Sequence, residues 1–390
     1  LRLTRAAAVT ALASAVFATS LAGCDLTTES EAVGEVVIGV DLELSGSAAA
    51  IGKAYNDALR LKVDQLNAAG VAGNNKITLA VRDNRSDTNL SLRNIGEFAD
   101  DPAIAAVITG SCSACAVAAT RTINDKRLPT IALAPSTQVS EPVADRRYVF
   151  KLAPNAADSA AAITEEIVRA GVETVGLLVT DDPYGDDGEA ALRAELAKAN
   201  VGLAARQQIK ATDTDVSGAV QTLIEEEPDA LVMWAFAEQA GLAATSAKSL
   251  GFNGRLYFDA AAAGDLFLTG QAATAAEGAT MVFTQTMVID DVIATTPTKA
   301  ARKQWFRDYT ARYGSYFGYA SFAADALQLL ADALDRVGGV NRDRIRDVLE
   351  TSQLDGLSGP IRITPDNHSG LMPQALTMLV VRGGRWRLAS

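Results

Sequence analysis

Histidine occurs once in the 390 residues, as His368, and cysteine only three times. A single imidazole leaves general acid–base catalysis with few candidates. Two of the cysteines, Cys112 and Cys115, stand close together, and no second C-x-x-C accompanies them. Without further ligands they make a poor tetrahedral zinc site, so neither a metal nor another cofactor is expected. The chain also lacks a Gly-rich phosphate fingerprint, a G-x-S-x-G elbow, an H-E-x-x-H pair and a Ser/His/Asp arrangement. These absences count against an enzyme. Basic charge is scarce as well: 35 Lys and Arg face 47 Asp and Glu, for a net charge of −12. Nucleic acid is therefore an unsuitable partner, and so is a purely electrostatic attachment to anionic lipid.

What is present begins with an export pattern. Arg2 and Arg5 precede an uncharged, Ala-rich run that ends in Leu21-Ala22-Gly23-Cys24. The run is short and weakly apolar for a spanning helix, which needs about 20 strongly apolar residues. Its last four residues resemble a bacterial lipobox. That likeness implies a signal peptide over residues 1–23, cleavage before Cys24 and a lipid on its thiol. The acidic stretch 24–34 then serves as a tether, which places the protein outside the cytoplasm, anchored to the cell membrane.

The remaining chain alternates short apolar strands with Ala- and Leu-rich helices, as in "EVVIGVDLEL" followed by "AYNDALRLKVDQLNAAGV". Two such series in succession predict an α/β protein with two doubly wound, mostly parallel sheets. After residue 283 the texture changes to long helices and then a hairpin-rich tail. Several crossings between lobes account for that order better than two independent domains do.

In open parallel sheets, ligands sit beyond the carboxyl ends of the strands. "TGSCSAC" (109–115) ends one strand and enters a helix. Ser113 is the expected cap, with the first-turn N–H groups aimed at an anion. The two cysteines there are expected as a disulfide, as inert thiols, or as a redox pair, the last being the least favoured. "ALAPSTQ" brings Ser136, Thr137 and Gln138 to another strand end, as a turn or as donors to a carboxylate. "TDDPYGDDG" offers Tyr184 as a packed ring or an aromatic lid. "MWAFAE" brings Trp234 and Phe236, as core or ligand wall. "YFDAAAAGD" brings Asp259, which either caps the next helix or pairs with an ammonium.

The order of "IGVDLELSGSAAAIGKAYNDALRLKVDQLNAAGV", "VRDNRSDTNLSLRNIGEFADD", "AVITGSCSACAVAATRTINDKRLPTIALAPST", "VFKLAPN", "LLVTDDPYGDDG" and "AKSLGF" resembles the type I periplasmic binding proteins. The likeness is to the branched-chain amino acid (leucine/isoleucine/valine) receptors of ABC importers, and it covers essentially the whole mature chain. It implies two lobes joined by three hinge crossings, residues 35–150 with 283–355 and residues 151–282 with 356–390. It also implies a monomer that closes on a small ligand, an amino acid, and presents it to permease subunits without breaking a bond.

By position, the resemblance puts a ligand carboxylate at Cys112 and Ser113, with Ser136, Thr137 and Gln138 beside it. Tyr184 and Phe236 form the second-lobe wall, Asp259 takes an α-ammonium, and Tyr319 and Ile51 complete the pocket. Urea, short amides and aromatic carboxylates are the alternative ligands in this superfamily. A sensory receptor of the same fold and a thiol oxidoreductase using Cys112 and Cys115 are the alternative roles.

Overall fold

The computed structural model describes residues 34–71, 75–264 and 270–389. The leader, Cys24 and nearly all of the tether lie outside the described residues.

The first lobe is built on a five-stranded parallel sheet. Its elements follow as β1 (Glu35–Leu42), α1 (Ala49–Ala69), β2 (Lys76–Asp83), α2 (Thr88–Asp100), β3 (Ile104–Thr109), α3 (Ser113–Asp125), β4 (Thr130–Ala132) and β5 (Val149–Lys151). The strand order is β2-β1-β3-β4-β5. All six residues of β3 are buried, as expected for a strand covered by helices on both faces.

The second lobe continues the alternation. It runs through α4 (Ala156–Arg169), β6 (Thr174–Thr180), α5 (Pro183–Ala199), β7 (Gly202–Ile209), α6 (Ser217–Glu225), β8 (Ala230–Trp234), α7 (Ala237–Ser249), β9 (Arg255–Phe258), α8 (Gly270–Ala275) and β10 (Thr280–Thr284). Three helices follow, α9 (Pro297–Tyr313), α10 (Ala320–Val337) and α11 (Arg342–Leu349). The chain then forms β11 (Gln353–Asp355), β12 (Pro360–Arg362), β13 (Leu376–Arg382) and β14 (Arg385–Leu388). The last two strands complete a seven-stranded sheet of order β14-β13-β10-β9-β8-β6-β7, antiparallel only at that edge.

The late helices return to the first lobe. The Tyr309 hydroxyl of α9 reaches the Ala54 carbonyl of α1 at 3.4 Å. Arg342, opening α11, donates to the carbonyls of Ile104, Ala99, Phe98 and Asp101. Asp325 of α10 accepts from the main chain of Leu357 and Ser358, each at 2.7 Å. Residues 357–370 thus lie against α10 and β5, whereas β13 and β14 belong to the second sheet.

The chain passes between lobes three times: after β5, after β10 and before β13. The first and third passages touch. Lys151 forms a parallel bridge with Ser369, its N–H donating to His368 O at 2.9 Å and its carbonyl accepting from Gly370 at 2.9 Å. Lys151 is wholly buried, and its Nζ donates to Asn155 Oδ1 at 2.7 Å and to the Pro135 and Ala153 carbonyls. Burial lowers its pKa to about 8. His368 is equally buried, packed on Phe150 with centroids 4.4 Å apart. Its Nδ1 lies 2.9 Å from the Val149 carbonyl, so the one imidazole is part of this junction.

Local signals explain the helix starts. Asp87 caps α2 by accepting from Leu90 N–H at 2.7 Å, and Asp182 caps α5 ahead of Pro183. Ser113 does not cap α3. The residue in that position is Cys112, whose sulfur accepts from Cys115 N–H at 3.2 Å.

Candidate functional site

Between the lobes lies a cleft with about 460 Å³ of space free of protein atoms, part of it open to solvent. Its walls come from the carboxyl ends of strands in both sheets, where open α/β sheets carry their ligands. Ile51 and Tyr55 of α1, with Tyr319 at the head of α10, face Tyr184, Phe236 and Asp259. Five of the positions expected from the sequence therefore meet here: Ile51, Tyr184, Phe236, Asp259 and Tyr319.

Asp259 follows β9 directly and is 2% exposed. One carboxylate oxygen, Oδ2, accepts from Ala261 N–H at 3.1 Å. The other, Oδ1, is buried and completes no hydrogen bond of normal geometry, although the Ala235 N–H and the Tyr184 hydroxyl approach the carboxylate and favour its charged form. One oxygen thus forms the expected cap on a short helical turn, and the other takes no part in it. Burial drives its pKa up to about 7, against the smaller lowering effect of the adjacent Tyr184 hydroxyl. That hydroxyl completes no hydrogen bond of normal geometry, although it interacts electrostatically with the carboxylate. No lysine or arginine lines the cleft among the described residues.

The aromatic wall is held by close approach. The Tyr184 ring sits 5.2 Å from Phe236 and 6.1 Å from Trp234, centroid to centroid. Trp234 fits only because α5 presents a glycine to it. A Cβ on Gly188 would lie 2.2 Å from the indole nitrogen. Across the cleft, Tyr319 stands edge-on to Tyr55 at 6.2 Å. Its hydroxyl donates to the Ala260 carbonyl at 3.0 Å and also to that of Ala261, so a first-lobe ring is pinned to the second lobe.

The remaining expected residues are used differently. Ser113 is buried, and its hydroxyl accepts from Ser136 N–H at 3.2 Å instead of facing the cleft. The Ser136 hydroxyl and the Thr137 N–H both donate to Asp187 of α5, the latter at 2.7 Å. Gln138 offers its N–H to Ser136 Oγ and its carbonyl to Arg146. The N–H of Cys112 donates to Glu43. Cys112 and Cys115 are joined in a disulfide. None of these five residues lines the cleft; the hydrogen bonds just described go to one another, to Arg146 or to two acids, Glu43 and Asp187.

Those two acids, with Tyr55 and Ser111, were not singled out by sequence reasoning. For Glu43 a signal existed. Buried parallel strands are normally near-continuous apolar runs, yet "VDLEL" sets Asp41 and Glu43 at alternate positions, and both are fully buried. Two acids on one side of such a run announce an internal hydrogen-bond network. Asp41 accepts from Asn84, Ser91 and Asn94, and Glu43 from Asn84, Ser111 and Cys112.

Comparison with known proteins agrees with this architecture. A family model described as periplasmic binding protein matches residues 35–385. An extracellular ligand-binding receptor from Rhodopseudomonas palustris HaA2 superposes with a TM-score of 0.84 at 23% identity, covering 91% of this chain and all of that one. A branched-chain amino acid transporter substrate binding protein from Streptococcus pneumoniae, solved in complex with isoleucine, gives 0.78 at 22% identity, with coverage of 91% and 99%. A solute binding protein of an ABC transporter from Rhodopseudomonas palustris BisB5, in complex with 3,4-dihydroxybenzoic acid, gives 0.79 at 19%, with coverage of 90% and 95%.

Proposed function

Because the chain belongs to the periplasmic binding protein family, we propose that it captures a small solute bearing an ammonium group, an amino acid or a related amine, and delivers it to an ABC permease. The observation that carries this reading is Asp259 Oδ1, buried in an aromatic cleft with no cation beside it and no hydrogen bond of normal geometry. A buried carboxylate is costly alone and favourable beside a cation that is itself desolvated on arrival. Tyr184 and Phe236 supply ring faces to the same cation or to an apolar body next to it. Closure of the first lobe, the β1–β5 sheet with the helices that follow residue 283, on the second would bury the ligand and stabilise the form a permease recognises. The lipobox-like segment ending in Cys24 supports a lipid anchor that keeps the receptor at the membrane.

The test is a thermal-shift screen of residues 34–390 against amino acids, simple amines, amides, urea and aromatic acids. Binding stabilises by mass action, so ligands with an ammonium group are expected to raise the melting temperature, and Asp259→Asn is expected to abolish the rise. A response confined to urea, amides or aromatic acids contradicts the reading. Reduced uptake of the responding ligand in cells lacking the protein separates a transport role from a sensory one.

A further inference from the structure

Ser111 carries the first-lobe strand-end donors nearest the cleft, and it turns them inward. Its N–H donates to Glu43 Oε2 at 2.9 Å and its hydroxyl to the same oxygen at 3.1 Å. The next N–H, of Cys112, donates to Glu43 Oε1 at 3.2 Å. The backbone is shaped around this carboxylate, since a Cβ on Gly110 would fall 2.2 Å from Oε2. An internal glutamate therefore occupies the anion position that the entrance to α3 creates.

The neighbouring loop is closed in the same way. Ser136 N–H goes to Ser113 Oγ, and Thr137 N–H goes to Asp187. Lys151, behind Pro135, has its ammonium directed to two carbonyls and Asn155. Among the described residues lining the cleft, Asp259 Oδ1, the Tyr184 hydroxyl and Trp234 Nε1 complete no hydrogen bond of normal geometry. Among the described residues, the cleft offers one carboxylate for a cation and no charged donor for an anion.

We infer that the ligand is a cationic amine without an α-carboxylate, and that Glu43 is the residue that selects against the zwitterion. This rests on the reading of Asp259 as the ammonium partner. A carboxylate entering the cleft would be desolvated with no charged donor to receive it, near a second buried carboxylate. Specificity of this kind comes from an element set against the wrong ligand as much as from contacts to the right one.

Matched pairs that differ by the carboxylate alone test the inference: isopentylamine against leucine, and phenethylamine against phenylalanine, titrated calorimetrically into the wild-type domain and into Asp259→Asn. The expected result is that at least one amine binds about tenfold or more tightly than its amino acid, and that this binding is lost in Asp259→Asn. Glu43→Ala, which frees the Ser111 and Cys112 N–H groups, is expected to shift the amino acid-to-amine affinity ratio about tenfold towards the amino acid. If that variant does not fold, the wild-type ratio decides. An amino acid binding as well as or better than its amine, with binding lost in Asp259→Asn, overturns the inference and leaves the proposed function standing. So does an amine preference below tenfold. Binding that survives Asp259→Asn, or no binding by any of the four, overturns both.

Discussion

Asp187 of the second lobe accepts the Thr137 N–H of the first at 2.7 Å, a direct hydrogen bond across the cleft mouth. The Ser136 hydroxyl donates to the same carboxylate oxygen. A charge-assisted pair of this kind can form only while the lobes are close, so it favours the closed form. Asp187→Ala is expected to weaken ligand affinity by about tenfold, since a closed state that is less populated lowers apparent affinity in proportion. Calorimetry reads the affinity, and small-angle scattering should show a larger radius of gyration for the free variant. Unchanged affinity and unchanged dimensions would remove Asp187 from the closing mechanism.

Burial holds the Asp259 carboxyl near a pKa of about 7. An ammonium ligand pairs with the ionised form, so binding requires loss of that proton at lower pH. Affinity should rise with pH up to about 7 and then stay level until the amine itself titrates near pH ~10.4. At about pH 5.5 calorimetry should find binding at least tenfold weaker than at about pH 8. A flat profile would mean that Asp259 does not meet the charge.

The same shift has a consequence for stability. With its folded pKa raised above the unfolded value, Asp259 holds its proton in the native state while the unfolded chain loses it. Stability of the empty domain therefore falls as pH climbs from about 4 to about 7, and the loss persists above that. Asp259→Asn removes the loss. Urea denaturation above pH ~7 should find the variant more stable than wild type by up to about 4 kcal/mol, though it binds poorly. Equal or lower stability would show that the carboxylate is compensated in the empty cleft.

Lys151 works in the opposite direction. Its pKa is lowered to about 8 by burial, so between about 8 and 10.5 the unfolded chain holds a proton that the native state has released. Stability contributed at this site rises with pH across that window, by about 3 kcal/mol in all. The difference in unfolding free energy between wild type and Lys151→Met isolates it. A difference independent of pH would place the ammonium in a better solvated setting than this hinge junction shows.

Most of the architecture was legible because it rests on local rules. The β–α alternation and the placement of Tyr184, Phe236 and Asp259 just beyond strand ends follow from nearby residues. The carboxylate grip expected at Ser113 and Ser136 was not found in that form. The Ser111 and Cys112 donors before α3 are claimed by Glu43, about 70 residues earlier, and the Ser136 hydroxyl and Thr137 N–H by Asp187, about 50 residues later. Such pairings depend on which strands become neighbours, and β1 lies beside β3 only once the sheet is assembled. Residues 357–370 were obscure for a similar reason. Their partners are Asp325 and Lys151, and no periodicity within the segment announces either one.

Gly188 gives a purely steric test of the aromatic wall. Its missing Cβ leaves the room that the Trp234 indole occupies, and both partners are buried against β8 and α5. Gly188→Ala should cost about 2 kcal/mol through overpacking and weaken ligand binding as Tyr184 is displaced. Denaturation and calorimetry on one preparation read both effects. A stability loss under about 0.5 kcal/mol would show that the wall yields more easily than its packing implies.

The structure of the domain with its tightest-binding amine tests the central claim most directly. The account predicts the ligand nitrogen within hydrogen-bond distance of Asp259 Oδ1, its body against Tyr184 and Phe236, and Glu43 still bonded to Ser111 and Cys112. A ligand whose nitrogen lies away from Asp259, or one that carries a carboxylate to the Ser111 and Cys112 N–H groups with Glu43 displaced, would contradict it.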